Sequence, residues 1–196
     1  MKIPKVKLFG SPMNLDYYLP FESKMYSKAM SMLSNKRVAI DIGSCEGLWS
    51  INLSDEFKTV YAFEPMPDVH GIALRWLPDN VKPHNIALSN TEKNIEMIFF
   101  EHNIGMTMRK GNDFIENHMK KSPSKTFMTK TRTIDSYGFS NVDFIKIDAE
   151  GEEQNIIYGA KETLDRCSPI IFVDSDDDIR VDGYTQIEKY FFEKKS

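Results

Sequence analysis

Two acidic residues follow the apolar run of residues 142–147, Val-Asp-Phe-Ile-Lys-Ile. They are Asp148 and Glu150, and Gly151 comes directly after them. A buried strand that stops at paired acids and a glycine places those acids at the carboxyl edge of a sheet, where open α/β folds bind their ligands. A carboxylate at such an edge can orient a substrate hydroxyl or take its proton. Because alternate strand residues share a face, Lys146 can instead pair with both acids in a structural cluster, so two interpretations stay open.

A glycine-bearing turn ends an earlier apolar run and contains Asp41, Gly43, Ser44, Cys45, Glu46 and Gly47. Gly43 can adopt a positive φ and lets a ligand approach the backbone, and Gly47 lets a helix begin close to the strand. The turn lacks the Gly-x-Gly-x-x-Gly pattern of a dinucleotide site, because Cys45 stands where the second glycine would approach a pyrophosphate. Acids in the turn repel phosphates but attract an ammonium group, which favours S-adenosylmethionine as the cofactor. A tight packing turn without a ligand is the alternative.

A third acid, Glu64, ends the run Val-Tyr-Ala-Phe and is followed by Pro65. A carboxylate at a strand end can accept hydrogen bonds from both hydroxyls of a ribose. Both NAD and S-adenosylmethionine carry such a ribose, and an isolated acid here can also favour the start of the next helix. The glycine turn upstream makes the ribose role the favoured interpretation.

Apolar runs and helical patterns alternate along the chain, which predicts an α/β fold with right-handed crossovers and a mainly parallel sheet with helices on both faces. Strands are predicted at 37–42, 59–64, 85–88, 95–100, 142–148 and 169–174, and one more ends near Thr133. Helices are predicted at 21–33, 47–57, 68–76, 152–164 and 185–194. Residues 1–35 are predicted to form an arm and a covering helix, and residues 36–196 a single domain.

Residues 102–130 lack a clear period, although a helical piece is predicted at 112–120. Basic residues gather there and just beyond, namely Arg109, Lys110, Lys120, Lys121, Lys125, Lys130 and Arg132. A long irregular segment in a compact domain is either a lid over a substrate or a plain solvated loop. A basic lid would suit an anionic substrate.

Composition indicates an ordinary globular protein. The net charge of −4 argues against a general nucleic-acid coat. The sequence has no run of eighteen apolar residues, so no membrane span is predicted. The first residues lack the apolar segment of a secretory signal. Cys45 and Cys167 are expected to be reduced, as in a cytoplasmic protein. No third ligand accompanies Asp148 and Glu150, so no metal site is predicted.

As a set, these segments resemble the FkbM-type S-adenosylmethionine-dependent methyltransferases. The family pattern reads Asp-x-Gly-Ala-Asn-x-Gly, Ala-Phe-Glu-Pro, Ala-Leu-Ser, Leu-Asp, Lys-Ile-Asp-Val-Glu-Gly and Leu-Lys-Gly-Ala. The matching stretches of this chain begin at Asp41, Ala62, Ala87, Ile134, Lys146 and Ile157. They occur in the family's order between residues 37 and 175, and together they are specific although each alone is weak.

The resemblance implies a Rossmann-like methyltransferase fold, S-adenosylmethionine as the methyl donor, and transfer to a hydroxyl oxygen of a sugar or another small molecule. The implied cofactor-binding set is Asp41, Gly43, Ser44, Cys45, Glu46, Gly47, Glu64, Pro65, Ala87, Ser89 and Asp148. The candidate catalytic set is Asp148, Glu150 and Lys146. In this assignment Glu64 meets the ribose, Ala87 and Ser89 lie on the adenine side, and Asp148 lies near the methyl group.

The chain departs from the family pattern in three places. Cys45 stands where the family usually has Asn, and Asp174 where it often has Glu. The predicted final helix also leaves no room for the terminal hairpin that is usual in such folds. Two other functions stay open: a nucleic-acid-modifying methyltransferase that uses the basic 109–132 segment, and a catalytically silent protein that only binds the cofactor.

Overall fold

The structure is a computed structural model and describes residues 15–100, 103–111 and 124–195. Its helices are α1 (Leu15–Met32), α2 (Leu48–Glu56), α3 (Pro67–Ala73), α4 (Glu153–Tyr158) and α5 (Lys161–Cys167). Its first strands are β1 (Val38–Ile42), β2 (Thr59–Phe63), β3 (Val81–His84), β4 (Ala87–Leu88), β5 (Lys93–Phe100) and β6 (Asn103–Arg109). The remaining strands are β7 (Ser124–Arg132), β8 (Val142–Ile147), β9 (Ile170–Val173), β10 (Tyr184–Glu188) and β11 (Phe191–Lys194).

The main sheet has seven strands in the order β10-β11-β9-β8-β1-β2-β3. Neighbours from β9 through β3 pair in parallel, and β11 pairs antiparallel with both β9 and β10. The central strands are apolar almost throughout because helices cover both faces and leave no solvated side. The predicted α/β fold with a mainly parallel sheet and helices on both faces is confirmed.

Each face of this sheet has its own apolar core. On one face Met25 and Ala29 of α1 and Trp49 and Leu53 of α2 pack against strand residues that include Phe144. On the other face, residues of α4 and α5 pack against Ile40, Ile42, Ile145, Ile147 and Ile171. The alternation of strand side chains therefore assigns every residue of β1 and β8 to one helix layer or the other.

A second sheet of four strands, in the order β4-β7-β5-β6, stands beside the first. Strand β5 pairs antiparallel with both β6 and β7, and β4 pairs in parallel with β7. The predicted strand at 85–88 is wrong in its position. The third strand on this side of the main sheet is β3, which ends at His84, and only residues 87–88 of the predicted strand are extended, as β4 of the second sheet. The prediction of an irregular segment is wrong over 103–109 and 124–130, which are strands. Residues 112–123, which include the helical piece predicted at 112–120, lie outside the described residues.

The predicted helix at 185–194 is wrong. Residues 184–194 form the hairpin β10–β11, in which Phe191 and Phe192 pair with β9 and are buried. Aromatic and β-branched residues favour strands where they can pack on a sheet, and that packing outweighs the helical spacing of the sequence. The terminal hairpin that seemed to be missing is therefore present.

The remaining boundaries match the predictions closely, with two exceptions. The helix predicted at 21–33 begins earlier, at Leu15. The predicted helix at 152–164 is two helices, α4 and α5, which are separated at Gly159. A Cβ at Gly159 would lie 2.3 Å from the carbonyl oxygen of Ser89, so the backbones approach too closely for a side chain. Within the described ranges, no helix is both long and apolar enough to cross a membrane.

Candidate active site

Polar residues replace apolar ones on the α1 and α2 face of the main sheet, at its carboxyl edge. Asp41 of β1 is in register with Lys146 of β8, which is in register with Phe172 of β9. Paired residues of parallel strands share a face, so Asp41 and Lys146 lie above the aromatic core on that face. Asp148 and Asp174 follow two residues beyond Lys146 and Phe172, just past the strand ends.

Lys146 is the centre of this cluster and is 3% exposed. Its Nζ lies 3.2 Å from Asp148 Oδ2 and 3.5 Å from Asp41 Oδ1. The ammonium group also donates to the carbonyl oxygens of Gly43 at 2.8 Å and Ile42 at 3.3 Å. Burial alone would lower the pKa of Lys146, but the carboxylates of Asp148 and Asp41 outweigh it and raise the pKa. Lys146 is therefore a charged residue that ties β1 to the end of β8.

Asp41 is completely buried and only partly satisfied. Ser50 donates its hydroxyl to Asp41 Oδ2 at 2.6 Å. Asp41 Oδ1 has no hydrogen-bond partner among the described residues, although Lys146 is close to it. Buried carboxylate oxygens are usually hydrogen-bonded, so this oxygen is an exception that keeps an unused acceptor site.

The turn after β1 is tightly constrained by the end of β8. Gly43 has φ of 68°, and a Cβ there would lie 1.7 Å from the carbonyl oxygen of Asp148. The backbone nitrogens of Gly43 and Ser44 both donate to the carbonyl oxygen of Phe63. Gly47 has φ of 89° and caps α2. The positive φ predicted for Gly43 and the helix start predicted near Gly47 are confirmed, whereas the group that approaches Gly43 is the carbonyl of Asp148.

Glu64 is buried beside the same turn. Its Oε2 accepts from the backbone nitrogen of Cys45 at 3.0 Å, and its Oε1 accepts from that of Met66 at 2.8 Å. Burial raises the pKa of Glu64 to about 7, despite these two hydrogen bonds and the charge of Lys146. Each carboxylate oxygen can accept a second hydrogen bond, so Glu64 keeps acceptor capacity for a ligand.

The loop after β8 carries further acids. Strand β8 ends at Ile147, and Glu150 has φ of 48°, so the shared-face argument for Asp148 and Glu150 does not hold. Burial and the carboxylates of Asp148, Glu153 and Asp174 raise the pKa of Glu150 to about 8. Glu153 itself accepts from the backbone nitrogens of Ala149 and Gly151 and thereby holds the loop.

Asp174 adds an acid at the end of β9. Burial raises its pKa to about 6, and the charges of Asp148 and Glu22 act in the same direction. Within the described part of the chain, no three His, Cys, Asp or Glu side chains are grouped so that they could hold a metal ion. The carboxyl edge therefore combines several acids with the ammonium group of Lys146.

Comparison with known proteins identifies the family. The Methyltransferase FkbM domain matches residues 41–195, which is most of the chain. The chain belongs to the FkbM methyltransferase family. This confirms the resemblance seen in the sequence, and S-adenosylmethionine is the cofactor that accompanies the family's chemistry. None of the curated proteins compared with the chain is significantly similar to it.

Several solved structures are similar at low identity. A methyltransferase FkbM from Methylobacillus flagellatus KT is 15% identical with a TM-score of 0.49, over 70% of this chain and 32% of that one. A precorrin-6y C5,15-methyltransferase from Geobacter metallireducens GS-15 is 14% identical with a TM-score of 0.47, over 89% and 74% of the two chains. An rRNA methylase from Streptococcus thermophilus is 13% identical with a TM-score of 0.46, over 91% and 96%. The chain spans about a third of the length of the Methylobacillus protein.

The FkbM sequence departure at Cys45 has a visible consequence. The Cys45 side chain packs against the cluster of Met66 and Val69, and Phe99 and Phe127 of the second sheet pack against the same cluster. The sulfur thus joins an apolar contact between the two sheets, whereas an amide at this position would need hydrogen-bond partners. The backbone nitrogen still serves Glu64, so the bond that depends on the main chain is kept.

The other predicted cofactor residues lie around this centre. Glu46 is buried, and its carbonyl oxygen accepts from Trp76 Nε1. The carbonyl oxygen of Pro65 accepts from the Asn85 amide. Ala87 and Ser89 are buried, and the Ser89 hydroxyl donates to Glu152 Oε2 at 3.0 Å. Their roles toward a cofactor stay predictions.

Sequence reasoning missed two residues of this face, Glu22 and Trp49. Glu22 of α1 accepts a hydrogen bond from Trp49 Nε1 at 2.5 Å, and its charge acts on Asp174 and Lys146. Neither residue belongs to a motif, and the helical spacing of α1 predicted only its apolar side. The acid at position 22 of an otherwise covering helix was the available signal, but without the fold it looks like an ordinary solvated residue.

Proposed function

We propose that this chain is an S-adenosylmethionine-dependent methyltransferase that methylates a hydroxyl oxygen of a small molecule, such as a sugar. The observation that carries the proposal is the excess of acids around Lys146 at the carboxyl edge, together with the lack of a hydrogen-bond donor to Asp41 Oδ1 among the described residues. An acidic, partly buried edge suits a cofactor that is cationic and carries no phosphate. The acids therefore fit S-adenosylmethionine better than a nucleotide with a pyrophosphate.

Glu64 and the Gly43 turn would hold the cofactor. Glu64 has one acceptor site left on each oxygen after its bonds to Cys45 and Met66, which is the number that a ribose diol needs. The positive φ of Gly43 and its missing side chain let the turn pack against the end of β8, which places the turn between Glu64 and Asp148. When bound, the cofactor supplies an electrophilic methyl group.

Asp148 would act on the acceptor. Its side chain is 36% exposed, whereas Asp41 and Lys146 beneath it are buried. Lys146 holds Asp148 Oδ2, so the other oxygen, Oδ1, can accept the hydroxyl of the acceptor and take up its proton as the oxygen–methyl bond forms. S-adenosylmethionine, when bound, would supply the methyl group and would keep the electron pair of the methyl–sulfur bond, so that the transfer balances.

The second sheet would form one wall of the acceptor site. Phe99 and Phe127 pack against the cluster of Met66 and Val69. Arg109 Nη1 lies 3.5 Å from Glu152 Oε1. Arg109 and Lys110, two of the basic residues predicted to face an anionic substrate, are each paired with an acid. Arg109 pairs with Glu152, and Lys110 pairs with Glu96. This pairing favours a small acceptor over nucleic acid, since phosphate binding needs free cationic groups.

Calorimetric titration with S-adenosylhomocysteine tests the proposal. We expect binding by the wild-type chain and no binding of NAD, because the turn lacks the glycine that a pyrophosphate requires. The Glu64→Ala variant should bind S-adenosylhomocysteine about 1.5–3 kcal/mol more weakly, the scale of a hydrogen bond to a charged group. Glu96→Ala, which removes an exposed acid of the second sheet, is the matched control and should bind normally.

Because Glu64 also fastens the turn, circular dichroism and thermal unfolding must show that the Glu64→Ala variant is folded. Formation of S-adenosylhomocysteine from S-adenosylmethionine is then measured with sugars, with their deoxy analogues that lack one hydroxyl, and with RNA. Turnover with RNA but not with the sugars would show that the acceptor is a nucleic acid and would overturn the proposal of a small-molecule acceptor. Binding of NAD without binding of S-adenosylhomocysteine would overturn the methyltransferase assignment itself.

A further inference from the structure

The helix that precedes the family domain carries an acid into the site. We propose that Glu22 of α1 binds the ammonium group of the amino-acid portion of the cofactor, so that α1 is part of the binding site and more than a cover. Glu22 lies outside the residues 41–195 that match the family. The inference rests on the proposed function, because it assigns a further contact to the same cofactor.

The position of Glu22 follows from its hydrogen bond with Trp49. The indole of Trp49 stacks on Phe172, with ring centroids 5.2 Å apart, and on Phe144 at 6.1 Å. Phe172 is in register with Lys146, and Phe144 lies two residues before Lys146 in the same strand. Both rings therefore lie on the Lys146 face of the sheet, and Trp49 Nε1 holds Glu22 Oε2 above that face at 2.5 Å.

Contacts beyond Glu22 along the helix keep α1 in place. The Tyr26 hydroxyl donates to the carbonyl oxygen of Asn52 at 2.8 Å, and its ring meets Trp49 edge-on at 5.5 Å. Met25 and Ala29 are buried in the core of this face. On the other side, Phe21 meets Tyr190 edge-on. Glu22 is thus presented by a fixed helix turn, which is what a binding residue requires.

The charges around Glu22 leave room for one more cation. Four carboxylates, those of Glu22, Asp41, Asp148 and Asp174, act on the single ammonium group of Lys146. That ammonium group already contacts Asp41, Asp148 and two backbone carbonyl oxygens. The pKa of Glu22 is raised, mainly by burial and also by the charges of Asp148 and Asp41. The hydrogen bond from Trp49 and the charge of Lys146 act in the opposite direction. An ammonium group would supply both the missing charge and hydrogen-bond donors, which a sulfonium lacks.

The distance across the sheet suits this assignment. Glu64 follows β2, and Lys146 lies in β8, with β1 between these strands. Neighbouring strands are about 4.8 Å apart, so the two positions are about 10 Å apart. The chain of single bonds from the ribose to the amino group can bridge such a span, with the ribose at Glu64 and the ammonium group on the Lys146 side near Glu22.

Two ligands that differ in the amino-acid portion test the inference. S-adenosylhomocysteine carries the ammonium group, and 5′-methylthioadenosine has the same adenosine and thioether without it. We expect Glu22→Gln to weaken binding of S-adenosylhomocysteine by about ten- to hundredfold, the scale for a lost hydrogen bond between charged groups. Binding of 5′-methylthioadenosine should stay within about twofold of wild type, because that ligand does not reach Glu22.

The Gln side chain keeps an oxygen that can accept from Trp49, so the variant should fold, and thermal unfolding verifies this. Glu56→Gln, on the exposed part of α2, is the matched control and should bind both ligands normally. Equal affinity of Glu22→Gln and wild type for S-adenosylhomocysteine would overturn the inference, and so would an equal loss for both ligands. If the wild-type chain does not bind S-adenosylhomocysteine at all, the proposed function fails first, which distinguishes the two failures.

Discussion

The two ends of strand β8 carry acids in opposite electrostatic situations. Near the amino end, Asp143 accepts from the backbone nitrogen and the guanidinium of Arg37, and Asn141 accepts from the same guanidinium. Burial would raise the pKa of Asp143, but the hydrogen bonds from Arg37 outweigh it and lower the pKa. Just past the carboxyl end, Asp148 shares Lys146 with Asp41, and nearby acids have raised pKa values.

This difference separates an acid that stabilises the fold from acids that are candidates to bind a ligand. At the amino end one acid meets one cation in good geometry, and nothing remains to be neutralised. At the carboxyl end several acids meet one cation, and burial penalises their charged forms. Groups with strongly perturbed pKa values in a cleft are candidates for function, whereas a matched ion pair is structural. The same strand therefore serves stability at one end and the proposed chemistry at the other.

The largest expected effect comes from disrupting the backbone contact that builds the carboxyl end. A Cβ at Gly43 would collide with the carbonyl oxygen of Asp148, and the positive φ disfavours any side chain. We expect Gly43→Ala to lower the free energy of unfolding by about 3–5 kcal/mol, from overpacking and left-handed strain together. Urea unfolding followed by circular dichroism measures this.

Gly71 in α3 is the matched control for that variant, because nothing lies within 4 Å of its added Cβ. Gly71→Ala should be neutral or stabilising by up to about 1 kcal/mol, as expected for alanine in a helix. A Gly43→Ala variant as stable as wild type would show that the turn can move away from β8. The carboxyl end of β8 would then not be tightly constrained by the turn.

The next effect is on catalysis. Asp148→Asn should lower the single-turnover rate of methyl transfer about 10²–10⁴-fold, because the amide cannot take up the acceptor proton. The fold and most of the cofactor affinity should be kept. Asp143→Asn, on the same strand, should keep the rate but lower the melting temperature, because it breaks the bond to Arg37.

Glu150→Gln distinguishes the neighbouring acids. We expect a smaller loss of rate than for Asp148→Asn, because Glu150 lies in the loop beyond the strand. A wild-type rate in Asp148→Asn together with a large loss in Glu150→Gln would transfer the proton-accepting role to Glu150. A rate loss in Asp143→Asn equal to that in Asp148→Asn would remove the distinction between the two ends.

The smallest expected effect is a pH dependence confined to the carboxyl end. Glu64, Asp174 and Glu150 have pKa values of about 7, 6 and 8. Between about pH 4.5 and 8 the folded, cofactor-free chain holds protons that the unfolded chain releases, so the contribution of these groups to stability is lost as the pH rises. Asp143 adds nothing in this window, because its lowered pKa gives a contribution that is lost only at acidic pH.

Binding of the cofactor should show the reverse trend. The ammonium group of the ligand prefers ionised acids, and the ribose hydroxyls prefer ionised Glu64, which is surrounded by Cys45 and Met66 nitrogens, Lys146 and Asp41. We expect the affinity for S-adenosylhomocysteine to rise from pH 6 to 8 by up to about tenfold per pH unit for each proton released. Calorimetry in two buffers of different ionisation enthalpy counts those protons. An affinity that is independent of pH would show that these acids do not change charge on binding.

Much of the fold and of the candidate site could be predicted from local sequence. Apolar runs located the central strands, and acids directly after them located the carboxyl edge. Gly43 is predicted to adopt a positive φ, and it does. A helix is predicted to begin near Gly47, and α2 begins directly after it. These features depend on strand period and turn chemistry, which are properties of a few adjacent residues. The motif set was also sufficient to predict the family.

The tertiary structure decided the features that depend on distant partners. Residues 184–194 have a helical spacing but form a hairpin, because Phe191 and Phe192 find β9 to pack on. The second sheet arises because β5 and β7 pair across the intervening segment. Strand pairing and burial bring energies that exceed the weak local preferences of such segments.

The charge balance of the site was also decided by the tertiary structure. Glu22 and Trp49 are 27 residues apart, and only the packing of α1 on α2 brings them together. Lys146 could be placed on one face with Asp148 from the strand period, but its contact with Asp41 requires β1 beside β8. The sequence by itself determined which residues carry charge and where strands end. Burial and neighbours, which exist only in the fold, decided how much of that charge is compensated.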